Sequence, residues 1–225
     1  MRLLALDTAT RHATVAISSA PGHLVERERE VTTHSEGLLS LIDEALRAAG
    51  LRVTDLDAVI CGRGPGSFTG LRIGLATAKG LCLAARKPLL CLSSLLPLGR
   101  AAAELGPPGR LCVAVLDARR EEVYYGLFRD GEPLGPEALA RPEILGEELR
   151  RRGEPVLLAG DGALLYREQL LVGGAVLAEG CHAVRARYLL QAGAPRLEAG
   201  ESDDLASVVP VYIRPSDARL PQPKS

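Results

Sequence analysis

Two carboxylates stand where chemistry is plausible. Asp7 closes the apolar run Leu3–Leu4–Ala5–Leu6, and Asp117 closes Leu111–Cys112–Val113–Ala114–Val115–Leu116. An acidic group at the end of a buried strand can hold the Mg²⁺ of a bound nucleotide, because Mg²⁺ takes hard oxygen ligands and phosphates fill the rest of its shell. The turns that follow weaken that reading. Thr8–Ala9–Thr10 and Ala118–Arg119–Arg120 contain no glycine, and a side chain hinders close backbone approach to phosphates.

A second candidate is the string Cys61–Gly62–Arg63–Gly64–Pro65–Gly66–Ser67–Phe68–Thr69–Gly70. It lacks the lysine of a Walker A loop, and its glycines do not fit the dinucleotide fingerprint. Free amides at the start of the following helix can hold an anion. The alternative is a structural loop that sets how the helix is presented. Neither Ser67 nor the histidines add a catalytic signature. Ser67 sits in P-G-S-F-T rather than in the G-x-S-x-G of a nucleophile elbow. His12, His23, His34 and His182 form no H-x-x-x-H or H-E-x-x-H pattern, so no zinc or iron site is expected. His34 reads as a capping or surface residue. No nucleophile–base pair stands at readable spacing, which favours a non-catalytic role.

Composition narrows the partners. In 225 residues, 27 basic and 28 acidic side chains nearly cancel, tryptophan is absent and phenylalanine occurs twice. The chain's own charge therefore does not capture nucleic acid, and aromatic platforms for single strands are not expected. Five cysteines, none in a C-x-x-C pair and most in apolar runs, fit reduced thiols packing as small hydrophobes. Asp7 interrupts the first apolar run too early for a signal peptide, and no run is long enough to span a membrane. A cytoplasmic location is expected.

The elements that must position these groups follow from periodicity. Leu3 to Asp7 predicts a buried strand, Ala13 to Ser18 its antiparallel neighbour and Leu24 to Val31 a charged edge strand. Thr33 and Glu36 form a capping box ahead of a helix that ends at Gly50. A strand from Asp57 to Cys61, the glycine string, a helix through Arg86, a strand from Leu89 to Leu92 and a helix from Ser94 complete the first half. After the Gly106–Pro107–Pro108–Gly109 hinge the opening recurs, with Glu122 to Phe128 as its second strand. A helix from Pro142 to Arg152, a strand from Pro155 to Ala159, helices near Ala163 and His182 and a strand from Val208 to Ile213 follow. This division gives residues 1–105, 106–214 and a loose proline-containing tail at 215–225. Two copies of strand-strand-strand-helix-strand-helix are the order of the duplicated ribonuclease-H-like α/β fold of the actin and sugar-kinase superfamily, here with a reduced second lobe. There the two hairpin turns face each other and hold phosphates.

At 100° per residue, the helix after the glycine string has a thin basic stripe of Arg72, Lys79 and Arg86. Opposite lies a small-residue face with Gly70, Gly74 and Ala78. So thin a polar stripe implies cover on more than one side: its own sheet and either another helix of the chain or a partner.

Four strings in this sequence resemble the bacterial TsaB family, also called YeaZ. They are Leu6–Asp7–Thr8–Ala9–Thr10, Gly62 through Gly74, Asp117–Ala118–Arg119 with Glu122–Val123–Tyr124, and Pro210–Val211–Tyr212–Ile213–Arg214. The resemblance implies a degenerate member of the actin-like superfamily that helps to place threonylcarbamoyl on the adenosine beside the anticodon of tRNA. It implies a non-catalytic subunit that binds a related TsaD-like transferase and works with a TsaE-like ATPase, while a separate enzyme makes threonylcarbamoyl-adenylate. ATP or ADP and the metal then belong to the partners, tRNA is met through the complex, no membrane is involved, and the chain pairs with itself when alone. The partner surface is formed by the two N-terminal helices. The residues expected to build it are Leu38, Leu41, Ile42 and Leu46 from the first, with Leu71, Gly74, Leu75 and Ala78 from the second. Asp7, Thr8 and Asp117 become vestigial phosphate-turn positions. The rival readings are an autonomous ATP-dependent kinase and a glycopeptidase-type enzyme, an old label of this branch.

Overall fold

In the computed structural model, which describes residues 1–20, 22–30 and 36–214, the first apolar run forms strand β1 (Leu3–Asp7) with every residue buried. It lies between antiparallel β2 (His12–Ala20) and parallel β4 (Ala58–Gly62). β3 (His23–Glu30) and β5 (Leu89–Leu92) complete a five-stranded sheet in the order β3-β2-β1-β4-β5. Strands covered on both faces read as continuous apolar runs, and β1, β4 and β5 do. β3 exposes most of its charged side chains and buries only Val25, as an edge strand should. The expected capping residue Thr33 and His34 lie outside the described residues.

One face of this sheet carries α1 (Glu36–Ala49) and α2 (Phe68–Ala85), which bury Leu38, Leu41, Ile42, Leu46, Leu75 and Ala78 against strand residues such as Val15 and Val59. Ser67 caps α2, its Oγ accepting from Gly70 N at 3.2 Å, and Arg86 ends the helix in the left-handed conformation.

The second half repeats the plan in reduced form. β6 (Leu111–Asp117) pairs antiparallel with β7 (Val123–Arg129) and parallel with β10 (Val156–Ala159). The third strand shrinks to β8 (Glu132–Pro133), a short β9 (Ala138–Ala140) also pairs with β7, and β11 (Val176–Leu177) forms the far edge. Helix α4 (Pro142–Arg152) with the short α5 (Asp161–Leu165) and α6 (Arg167–Leu170) covers the outer face.

Between the two sheets lie α3 (Leu96–Ala103) and α7 (Ala186–Glu198), and they cross over. α3, from the first half, packs Leu98 and Ala102 with Cys112, Leu116 and Phe128 of the second sheet. α7, from the second half, packs Leu189 and Leu190 with Leu3, Ile60 and Leu90 of the first. The result is five layers, helices alternating with sheets. All five cysteines are free and buried. No described helix is long and apolar enough to cross a membrane.

Two expectations about the second half are corrected. The helix predicted near His182 begins only at Ala186. The strand predicted from Val208 to Ile213 does not form; residues 199–214 instead make a strap back across the first lobe. Asp203 N donates to Leu89 O at 2.7 Å, Asp203 Oδ2 accepts from Cys91 N at 2.7 Å, and Val211 N donates to Arg63 O at 2.7 Å. These are single bonds spaced along the chain, and Pro210 has no N–H with which to extend them into a ladder.

Candidate functional site

The first hairpin turn is folded inward. Asp7 is fully buried; its Oδ1 accepts from Ala9 N at 2.8 Å and its Oδ2 from the Ser94 hydroxyl at 2.6 Å. Ser94 Oγ in turn accepts from Gly64 N at 3.1 Å, and Ser94 N donates to Gly64 O at 2.9 Å. Burial pushes the Asp7 carboxyl up to about 6, against the lowering effect of the two hydrogen bonds. Thr8 Oγ1 donates to Gly70 O at 2.8 Å and Ser67 N donates to Ala9 O at 2.7 Å.

This contact accounts for the glycines. A Cβ on Gly62 would overlap the Asp7 carboxylate, one on Gly66 would overlap Ala9, one on Gly70 the carbonyl of Thr8, and one on Gly74 the Thr8 hydroxyl. The glycine string and the first turns of α2 are thus the seat of the β1–β2 turn. Of the two readings of the loop, the packing matches the structural one. The groups that would meet a nucleotide's metal and phosphates are bonded inside the lobe.

The second turn is closed by side chains. Asp117 Oδ1 accepts from Arg119 N at 2.9 Å and from the Tyr166 hydroxyl at 3.4 Å, its Oδ2 pairs with Arg119 at 3.3 Å, and Asp117 N donates to Asp161 Oδ1 at 3.0 Å. Burial and the neighbouring Asp117 charge raise the Asp161 carboxyl. Arg119, Arg120 and Glu121 all have positive φ, 63°, 56° and 56°, a conformation that costs a side-chain-bearing residue roughly 1–2 kcal/mol. Arg214, at the end of the strap, supports it by donating to Ala118 O at 2.7 Å and Arg119 O at 3.2 Å and by pairing with Glu122.

The eight residues expected to face a partner are interior, which is a correction. Leu38, Leu41, Ile42 and Leu46 are at most 6% exposed, and Leu71, Leu75 and Ala78 at most 3%. Gly74 is buried on Thr8. Their apolar periodicity serves the chain's own sheet. The outward faces of the same helices carry Leu39 on α1 and Phe68, Thr69, Arg72, Ala76, Gly80, Leu83 and Ala84 on α2. Leu83 is 67% exposed and Leu39 56%. The second lobe does not cover this face, because α7 packs on the opposite side of the sheet.

Sequence reasoning also missed an aromatic–guanidinium group at the start of α2. Phe68 and Tyr212 lie 5.2 Å apart, the Arg72 guanidinium sits 3.9 Å over Phe68, and Arg72 Nε donates to the Tyr212 hydroxyl at 3.1 Å. Both aromatics belong to the strings singled out above, but their separation of 144 positions hides the contact. Among the described residues no group of three His, Cys, Asp or Glu could hold a metal ion.

Comparison with known proteins agrees with this architecture. A family model described as TsaD, tRNA N6-adenosine threonylcarbamoyltransferase, matches residues 28–143. The tRNA threonylcarbamoyladenosine biosynthesis protein TsaB of Escherichia coli (strain K12) is 31% identical over 223 residues, 95% of each chain. The solved structure of YeaZ from Pseudomonas aeruginosa superposes with a TM-score of 0.78 at 31% identity, covering 94% of this chain and 99% of that one. The activator of 2-hydroxyisocaproyl-CoA dehydratase from Clostridium difficile shares the fold alone, with a TM-score of 0.51 at 9% identity. The two sheets, the second repeating the plan of the first in reduced form, match the duplicated ribonuclease-H-like α/β fold expected from the order of elements. The chain belongs to the TsaB (YeaZ) family of tRNA threonylcarbamoyladenosine biosynthesis proteins, within the wider group that the TsaD model describes.

Proposed function

We propose that this chain is a non-catalytic subunit that binds a TsaD-like transferase and, with a TsaE-like ATPase, enables threonylcarbamoyl transfer to the adenosine beside the tRNA anticodon. The observation that carries the reading is the inward commitment of Asp7 and Thr8, whose carboxylate and hydroxyl are bonded to Ser94, Ala9 and Gly70. A chain whose own phosphate turn is occupied in this way is suited to lend a surface to a partner that supplies nucleotide, metal and chemistry. That surface is the outward face of α1 and α2. It combines exposed Leu39, Phe68 and Leu83 with the small Ala76 and Gly80, a relief into which a partner helix can pack closely. The same face serves self-pairing when the chain is alone, and tRNA is met through the complex.

The test is reconstitution of tRNA modification from purified TsaD-like and TsaE-like subunits, the adenylate donor and tRNA. Turnover is expected only with this chain present. Leu83→Glu should weaken association with the transferase by roughly tenfold or more, because it buries an unpaired charge at the contact, while leaving the melting temperature of the isolated chain unchanged. Equal modification with the chain omitted would refute the reading.

A further inference from the structure

A cavity of about 720 Å³ opens between the lobes, lined by no residue of either hairpin turn. Its floor is the edge strand β5 with Ser93, and one wall is the strap at Ser202, Asp203 and Val211. Another wall is the loop from Gly135 to Glu137, with the half-buried Leu96 supplying apolar surface. A volume in this range suits a small ligand.

The polar groups are specific. Glu137 is partly buried and accepts from the Ser93 hydroxyl. Burial raises its carboxyl, while Ser93 and the Arg63 charge oppose the rise. Arg63 has its backbone fixed on both sides, by Leu92 O at 2.9 Å and by Val211 N. Among the described residues its guanidinium has no hydrogen-bond partner. Arg196 and Glu201 at the rim satisfy each other at 2.8 Å, and Asp203 holds the Cys91 amide. The lining therefore offers one cation without a hydrogen-bond partner and, within reach of its charge, one partly buried carboxylate. Its three carboxylates outnumber its two guanidiniums, which disfavours phosphate esters and other polyanions.

We propose that this cavity binds a small zwitterion of amino-acid to dipeptide size. Its carboxylate is forked by Arg63, its ammonium is accepted by Glu137, and its apolar side chain lies against Leu96 and Val211. A planar guanidinium matches a carboxylate in two parallel charge-assisted bonds, and an apolar wall beside the pair selects an aliphatic side chain. The proposal stands apart from the partner-subunit reading, since it concerns the isolated chain and a different face.

The experiment is calorimetric titration of the full chain with L-leucine and with L-leucyl-L-leucine, beside leucinamide, N-acetyl-leucine and inorganic phosphate. Saturable binding of at least one zwitterion is expected at a Kd of about 1 mM or tighter, within reach of a ligand this small. Leucinamide and N-acetyl-leucine should each bind at least tenfold more weakly. Arg63→Gln should lose binding by at least tenfold with Arg63→Lys intermediate, at unchanged melting temperature. Should Arg63→Gln fail to fold, the two blocked leucines on the native chain decide alone. Absence of saturable binding by either zwitterion, preference for phosphate, or undiminished binding in a folded Arg63→Gln variant would overturn the proposal.

Discussion

Asp7 is the residue at which the expected phosphate-turn role and the observed packing part company. Its carboxyl, ordinarily near 3.8, is raised to about 6 by burial. The folded state therefore holds the proton more tightly than the unfolded chain. The resulting stabilisation is complete below the unfolded value and is lost as pH rises through about 6, and two units correspond to something on the order of 3 kcal/mol. Asp7→Asn keeps an acceptor for Ala9 N and cannot ionise. The variant is expected to match the native chain in urea unfolding near pH 4 and to exceed it by roughly 1–3 kcal/mol near pH 8. A stability difference independent of pH would contradict the assignment. Asp7 was visible in the sequence as a strand-ending acid, but its inward commitment was not. That depends on Ser94, 87 positions away.

At the scale of the element, α2 is two helices in one: an inner face cut to the shape of the β1–β2 turn and an outer face left open. Gly74 and Gly80 sit on opposite sides of that division. A Cβ on Gly74 would overlap Thr8 Oγ1, whereas one on Gly80 meets nothing within 4 Å. Alanine is favoured over glycine in a helix by about 1 kcal/mol, and overfilling a packed contact costs about 1–3 kcal/mol. Gly80→Ala should therefore stabilise the isolated chain by up to about 1 kcal/mol, while Gly74→Ala should destabilise it by roughly 1–2 kcal/mol. Denaturant midpoints of the two variants check this, and the same sign for both would refute the division. Ala78→Glu, which would bury a charge in the core, should unfold the chain rather than report on a partner. The helical spacing of α1 and α2 was legible from pattern. The side taken by the sheet was not, because α2 is apolar or small around most of its circumference.

For the molecule as a whole, α3 and α7 exchange lobes, so the cores of the two halves are knitted together across the hinge at Gly106–Gly109. The strap closes the loop, from β5 by way of Arg63 to the β6–β7 turn. With both turns bonded to their own surroundings, Mg-ATP should bind the isolated chain more weakly than about 1 mM in calorimetry. A micromolar Kd would restore the autonomous nucleotide site.

The sequence alone determined the repeating unit, since an apolar strand ending in an acid and followed by an antiparallel strand is a local pattern that needs no partner to be read. It also determined the glycine string and, through it, the family. The tertiary structure alone decided which residues of α1 and α2 remain outside, how the strap replaces the expected last strand, and that Arg63, Ser93, Glu137 and Asp203 share a cavity. Periodicity records that a helix or strand has faces. Which face is buried depends on what distant segment packs there, and that information is spread over contacts between residues tens to more than a hundred positions apart.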